Sequence, residues 1–287
     1  MVRILVAIPH YYSFSPENQA GGSEHSSSTS EPQIRKACLQ KVITSLHHPF
    51  NRPQCMIDIA AKTTSPVNKS INSDLEIVIC TTGGSHLLNQ LDLHENYYEQ
   101  IETDAEPFYL GYECHRVLRE RLGGYEFYCY LEDDLVLHDP WFFQKLRWLN
   151  SQTEDACLFQ PHRYEVKPNH FVHKAYIDGE IREQVTSRIR QIDRQVRIEL
   201  EYCGTQLTFN PPLNPHSGCF FLNAHQMARW ASQPCFLDRS QAFIGPLESA
   251  ATLGVFRSFL ILKPEKACAS FLEIEHADTR FINVIRA

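Results

Sequence analysis

Apolar residues along this chain fall alternately into short continuous runs and helical stripes. "RILVAIP", residues 3–9, is an aliphatic run closed by a proline, as expected of a strand buried on both faces. Residues 13–32, "SFSPENQAGGSEHSSSTSEP", show no apolar periodicity and predict a long loop. In "PQIRKACLQKVITSLHH", Ile34, Cys38, Val42 and Leu46 recur at helical spacing. "CMIDIAAKT" (55–63) reads as a short strand, and the polar stretch up to Asp74 as a further loop. "DLEIVICTT" (74–82) is a second strong strand, broken by "GGSH". "PFYLGYECHRVLRERLGGY" (107–125) carries a helix with Cys114, Val117, Leu118 and Leu122 on one side, ended by Gly123 and Gly124. "EFYCYL" is a third strand, and "DPWFFQKLRWLN" a helix capped by Asp139 with Pro140 in its first turn.

This alternation predicts an α/β fold with a mostly parallel central sheet and helices on both faces. In such sheets ligands sit at the carboxyl ends of the strands. "IPHYY", "CTTGG" and "LEDD" are all strand ends and would converge on one edge. The second half is less regular. "DACLFQPHRYEV" reads as a strand. The arginine-rich residues 179–200 read as an exposed amphipathic helix or as a lid over a phosphate or acceptor. "NPHSGCFFLNAHQMARWASQ" gives a strand and then a helix capped by Asn223. "GPLESAATLGVFRS" is a helix, "FLILKPE" a strand, and "FLEIEHADTRFI" the last structured piece.

The 287 residues suit a single large α/β domain, and the 43% hydrophobic share is ordinary for a globular protein. A formal charge of −7 argues against broad nucleic-acid binding. No run reaches the ~18 apolar residues of a membrane span. The ten cysteines form no CxxC pair and lie mostly in apolar runs, which points to a reducing, cytoplasmic setting and leaves peripheral membrane attachment open.

Glu132, Asp133 and Asp134 stand between two apolar segments. They form either a solvated turn or a cation site, because crowded carboxylates repel and a divalent cation relieves the repulsion. Glu248 is either an ordinary helix N-terminal acid or a base, His276 either a surface salt-bridge partner or a ligand, and His10 either strand-end packing or a site residue. His162, His170 and His173 lack zinc-site spacing and read as loop residues.

"LEDDLVLHDPWFF" resembles the DXD-type motif of GT-A fold glycosyltransferases, in the "EDDL" form of N-acetylglucosaminyltransferase I-like enzymes. The resemblance implies one GT-A domain over residues 1–287, with a nucleotide-sugar half (1–150) and an acceptor half (151–287). It implies that Asp134 holds a divalent metal, Mn²⁺ or Mg²⁺, and that Glu132 and Asp133 contact the donor. "AIPHYYSF" and "ICTTGG" are similar to the family's nucleotide-binding loops, which would place Pro9, His10, Tyr11, Thr81 and Thr82 beside the base or ribose. His115 or Arg116 would reach the donor from the preceding helix. "HSGCFFLNAHQM" looks like the segment behind the donor sugar, through Gly218, and "EIEHADTRF" like the one that brings a histidine, His276, to the metal. Glu248 falls on the base position, although Ser249 stands where the family has an aspartate.

The activity so implied is transfer of a sugar from a nucleotide-diphosphate donor to an acceptor hydroxyl, with inversion. One carboxylate would deprotonate the hydroxyl and a metal would stabilise the leaving diphosphate. Two alternatives stand beside it. A nucleotidyltransferase would carry a Lys- or Arg-containing loop after the first strand, which "IPHYYSFSPENQAGG" lacks. A non-catalytic nucleotide-sugar or glycan-binding module would show no metal dependence.

Overall fold

The computed structural model describes residues 2–13 and 31–285, so nearly all of the loop expected over 13–32 lies outside the described residues. The strands are β1 (Val2–Pro9), β2 (Cys55–Asp58), β3 (Thr63–Pro66), β4 (Ser73–Thr82), β5 (Glu99–Thr103), β6 (Phe127–Leu131), β7 (Leu135–Val136) and β8 (Cys157–Phe159). They continue with β9 (His162–Val166), β10 (Lys174–Tyr176), β11 (Ile198–Tyr202), β12 (Thr205–Asn210), β13 (Cys219–Asn223), β14 (Leu260–Pro264) and β15 (Glu273–His276). The helices are α1 (Pro32–Phe50), α2 (Leu110–Glu120), α3 (Phe142–Gln152), α4 (Glu183–Ser187), α5 (Ala224–Ala231) and α6 (Pro246–Ser258).

The central sheet runs β13-β6-β1-β4-β5 and is parallel except for β13. Its central strands β1 and β6 are covered on both faces, so their buried runs Ile4–Ile8 and Phe127–Leu131 are apolar at every position and alternate only in direction. Ile4, Val6 and Ile8 of β1 pack with α1 and α3 on one face, while Leu5 and Ala7 pack with α2, α5 and α6 on the other. β6 repeats the pattern, with Phe127, Cys129 and Leu131 on the first face and Tyr128 and Tyr130 on the second. Burying one such large side chain is worth about 1.5–3 kcal/mol, so a one-residue register slip is excluded. From β1 the chain builds outward through β4 and β5, then returns across β1 to lay down β6. The order reverses between β1 and β6, and there a doubly wound sheet opens a crevice at its carboxyl edge.

Two smaller sheets flank this edge, β10-β9-β15-β7 and β11-β12-β14-β8. "DACLFQPHRYEV" is therefore two strands in two sheets, parted at Gln160 and Pro161. The helix expected over 179–200 is only the short α4, followed by turns. Two of the segment's arginines bond backbone, Arg190 donating to the carbonyl of Phe256 and Arg188 to that of Phe243, while Arg194 and Arg197 pair with Glu180, Glu199 and Glu265. The short strand expected at 55–63 is β2, and it pairs with β3, in the stretch expected to be loop, to form an exposed hairpin with Ile57 65% and Ile59 86% accessible. Asp139 sits three residues before α3, where its carboxylate accepts the N–H of Trp141. Leu122 lies beyond the end of α2 and is exposed. No helix among the described residues is long and apolar enough to cross a membrane, and all ten cysteines are free.

Candidate functional site

The acidic triplet occupies a tight turn between two buried strands. β6 ends at Leu131, and the N–H of Glu132 still donates to the carbonyl of Gly218, which extends the β6–β13 ladder by one bond. The N–H of Leu135 then donates to the Glu132 carbonyl, closing the turn, and β7 starts a different sheet. Gly218 has φ +63°, and a Cβ there would lie 2.4 Å from the Glu132 carboxylate, so only glycine leaves room for that side chain.

Register brings the remaining groups together. β15 runs antiparallel to β7 with His276 opposite Leu135, and Ala277 N–H donates to the Asp134 carbonyl at 2.8 Å. β9 runs parallel to β15, which puts Glu165 beside His276. His276 Nδ1 lies 2.9 Å from Glu165 Oε1, and Glu165 also accepts the backbone N–H of Phe281 and Ile282. Donation through Nδ1 turns Nε2 toward Asp134, whose Oδ2 is 3.6 Å away. A carboxylate that orients a histidine in this way is the usual support of a metal-binding imidazole. Burial alone would lower the His276 pKa, but the Asp134 carboxylate and the Glu165 hydrogen bond and charge together outweigh it and the pKa is raised.

Asp133 and Asp134 differ sharply. Asp133 is held from inside by Arg35 Nη2 and by His10 Nδ1, each at 2.5 Å. His10 Nε2 accepts the N–H of Leu87, so the ring proton sits on Nδ1 and is donated to Asp133. Burial opposes ionisation of Asp133, yet the Arg35 charge and the His10 hydrogen bond hold its pKa at about 2. Asp134 Oδ2 is 3.3 Å from Arg35 Nη1, but its Oδ1 is buried with no hydrogen-bond partner among the described residues. Burial, Asp134 and Glu248 together push the Glu132 carboxyl up to about 7.

These groups face a cavity of about 480 Å³ at the carboxyl ends of β1 and β6. Of the residues singled out by sequence, Pro9, Tyr11, Glu132, Asp133, Asp134 and Glu248 line it. Glu248, in the first turn of α6, makes no ion pair with a described residue. His276 stands behind Asp134, and Gly218 behind Glu132.

The other expected donor contacts lie elsewhere. His10 is fully buried under Asp133. Thr81 and Thr82 are buried in the sheet, where they bond Gln100 and the Ala105 carbonyl. His115 is enclosed by aromatic rings, because α2 presents it to the core. Arg116 points away and pairs with Glu113 and Glu120 on its own helix.

Sequence reasoning missed Arg35 and Glu165. Arg35 lies on the buried stripe of α1 with Cys38, Leu39 and Val42. An arginine on a core stripe needs a buried anion, and that was the available signal. Glu165 and Arg163 are two apart on β9, so both point to one buried face. Behind the wall Arg163 Nε donates to Asp178 Oδ1 at 2.8 Å, and Lys263 Nζ to Asp178 Oδ2 at 2.8 Å. Arg163 itself lines the cavity.

A divalent cation fits this donor set by charge. Glu132, Asp133 and Asp134 crowd one turn, and the Glu132 carboxyl is already pushed up to about 7 by burial and its acidic neighbours, a repulsion that a cation would relieve. The orphaned Oδ1 of Asp134 and the nearby Nε2 of His276 are an O/N pair of the kind such ions take. Among the described residues no group of three or more His, Cys, Asp or Glu could hold a metal alone. A cation at this place would have only Asp134 and His276 from the protein and would need substrate or water for the rest of its shell.

No family model matches the chain, and no curated protein matches it. Among solved structures it is similar to one titled as the crystal structure of mannose-1-phosphate geranyltransferase from Thermus thermophilus. That likeness has 10% identity over 96% of this chain and 74% of that one, with a TM-score of 0.35, and assigns neither a family nor an activity.

Proposed function

We propose that this chain is a transferase that moves a sugar from a nucleotide-diphosphate donor to an acceptor hydroxyl, with the single-domain GT-A organisation implied by its "EDDL" strand. The observation that carries the reading is the pairing of Asp134, on the wall of a cleft, with His276 behind it, in a cleft that also presents the carboxylate of Glu248, free of ion pairs to the described residues. In this reading residues 1–150 form the donor half and 151–287 the acceptor half. Tyr11 and Pro9 flank the nucleotide at the end of β1, and Glu132 faces the donor. A divalent ion, Mn²⁺ or Mg²⁺, held by Asp134 and His276 would neutralise charge on the diphosphate.

Glu248 takes the proton of the acceptor hydroxyl as its oxygen attacks the anomeric carbon. The glycosidic oxygen of the donor leaves with the bonding pair on the diphosphate. Attack opposite the leaving group inverts the anomeric centre. His10 is buried out of reach of substrate, while Arg35 also lines the cavity. They hold Asp133, and through it the turn that presents Asp134.

A nucleotidyltransferase would use the same cleft, and Arg163 on its wall favours that reading, since a fixed guanidinium suits a sugar-phosphate substrate. Glu248 favours glycosyl transfer. An attacking phosphate is already an anion, whereas a hydroxyl needs a base. Thermal-shift and product assays with UDP-, GDP- and TDP-sugars, with and without Mn²⁺, separate the two. Glycosyl transfer releases nucleoside diphosphate, while nucleotidyl transfer consumes nucleoside triphosphate and sugar phosphate and releases pyrophosphate. Asp134→Ala is expected to abolish metal-dependent donor turnover with the fold kept; unchanged turnover defeats the metal assignment. Glu248→Gln is expected to lower turnover by about 10²–10⁴ with donor binding retained, and lost donor binding would remove Glu248 from the base role.

A further inference from the structure

Arg163 lines the cleft with most of its donors unused by the protein. Its side chain is only 9% accessible, and Nε donates to Asp178 Oδ1 at 2.8 Å. A carboxylate that grips a guanidinium from the side places its second oxygen on an Nη. Asp178 does not, because its Oδ2 accepts the backbone N–H of Arg163 at 2.9 Å and Lys263 Nζ at 2.8 Å. Neither Nη of Arg163 has a hydrogen-bond partner among the described residues, and neither is sealed from solvent. Glu132 and Asp134 act on its charge at longer range, and neither makes an ion pair with it.

The guanidinium is fixed from behind. Lys263, buried on β14, also donates to the carbonyl of His216 at 2.7 Å, so one ammonium joins Asp178 to the segment before β13. The N–H of Ile177 donates to the Arg163 carbonyl, and Asn214 Nδ2 to that of Gly179. A side chain held in this way loses little freedom when it meets a ligand. Its two Nη groups form an end-on fork that matches two oxygens of one phosphate or carboxylate. In a cleft that excludes part of the water, such a charge-assisted pair is stronger than in bulk solvent.

We infer that Arg163 forms an oxyanion subsite in the cleft, which takes a phosphate or carboxylate of a substrate end-on through its Nη pair, without help from a metal. Such a subsite serves either transfer, because each brings an oxyanion. A nucleotide-sugar donor brings its diphosphate, and the second substrate can bring a phosphate or carboxylate of its own.

The test uses the full chain in EDTA, with inorganic phosphate as the probe and phosphorus NMR as the readout. The expected result is saturable phosphate binding. Arg163→Gln should weaken it by about 10–100-fold, the loss of a hydrogen-bonded charged pair. Arg163→Lys keeps the charge without the fork and should weaken it by less. Urea unfolding checks the fold of each variant. No phosphate binding by the parent, or equal binding by a folded Arg163→Gln, overturns the inference and leaves Arg163 as a counter-charge to Glu132 and Asp134. If the glutamine variant does not fold, the lysine variant decides: weaker binding supports the fork, and unchanged binding overturns it. UDP, GDP and TDP are then added to the phosphate complex. Displacement of phosphate assigns the subsite to the donor, and phosphate retained beside a bound nucleotide assigns it to the second substrate. If no nucleotide binds while phosphate binding still depends on Arg163, the nucleotide-sugar reading fails and the subsite stands.

Discussion

Two histidines, each only 2% accessible, show what burial does with opposite surroundings. His115 on α2 lies among the rings of Tyr112, Tyr130, Phe220, Trp230 and Phe236, with centroids 4.8 to 6.3 Å away. Its Nε2 has no hydrogen-bond partner among the described residues, and burial drives its pKa down to about 3. His276 on β15 lies between Asp134 and Glu165, and its pKa is raised against the same desolvation. One pocket excludes charge, and the other is assembled from it. Burial therefore does not mark a functional histidine; the charge of its neighbours does.

The carboxylate pocket should break most severely when its internal cation is removed. Arg35→Ala leaves Asp133 and Asp134 buried without their guanidinium, and breaking a buried pair from one side costs about 3–5 kcal/mol. Urea unfolding reads this directly, and a loss below about 1 kcal/mol would mean that water or a bound cation already compensates the acids. A smaller effect is expected from Glu165→Gln, which keeps the shape but weakens the orientation of His276. Mn²⁺ affinity, followed by the paramagnetic resonance of the free ion, should fall by about 10–100-fold with little change in stability. An unaltered affinity would separate His276 from the metal.

The central sheet was legible because its signals are local. "ILVAIP" and "FYCYL" are apolar throughout, as the buried part of a strand covered on both faces must be. The site was legible only in part, because its order comes from register. Asp134 and His276 stand 3.6 Å apart since β15 pairs with β7, a pairing of two residues that no periodicity announces. Arg35 was hidden by a shift of one position in the helical stripe. The sequence reading took Ile34, which is 55% accessible, while the core takes Arg35 and Leu39. His115 and His276 were equally plausible as sequence, and only their neighbours separate them.

The aromatic pocket should respond to volume where the carboxylate pocket responds to charge. A Cβ on Gly111 would come within 2.6 Å of Ala250 Cβ and 2.9 Å of the Tyr130 hydroxyl, so α2 and α6 can approach only over a glycine. Gly111→Ala should cost about 1–3 kcal/mol, the usual penalty of overpacking. Metal affinity should be retained. A neutral or stabilising result would show that α2 is free to shift away from α6.

The mildest change at neutral pH is His115→Phe, which replaces an uncharged ring by another of similar size. At pH 7 it should alter stability by less than about 1 kcal/mol. Acid separates the two proteins. The folded-state pKa of His115 is lowered to about 3, against about 6.5 in the unfolded chain. Between these values the unfolded chain binds the extra proton. The contribution of the neutral ring is thus complete above pH 6.5 and is lost as the pH falls toward 3. At pH 5 the unfolded histidine gains about 2 kcal/mol from protonation, and the phenylalanine variant is spared that loss. Urea curves at pH 7 and pH 5 should show the gap between variant and parent moving by about this amount in favour of the variant. A constant gap would mean that His115 takes up its proton while folded, and the aromatic pocket would then not exclude charge as the carboxylate pocket accepts it.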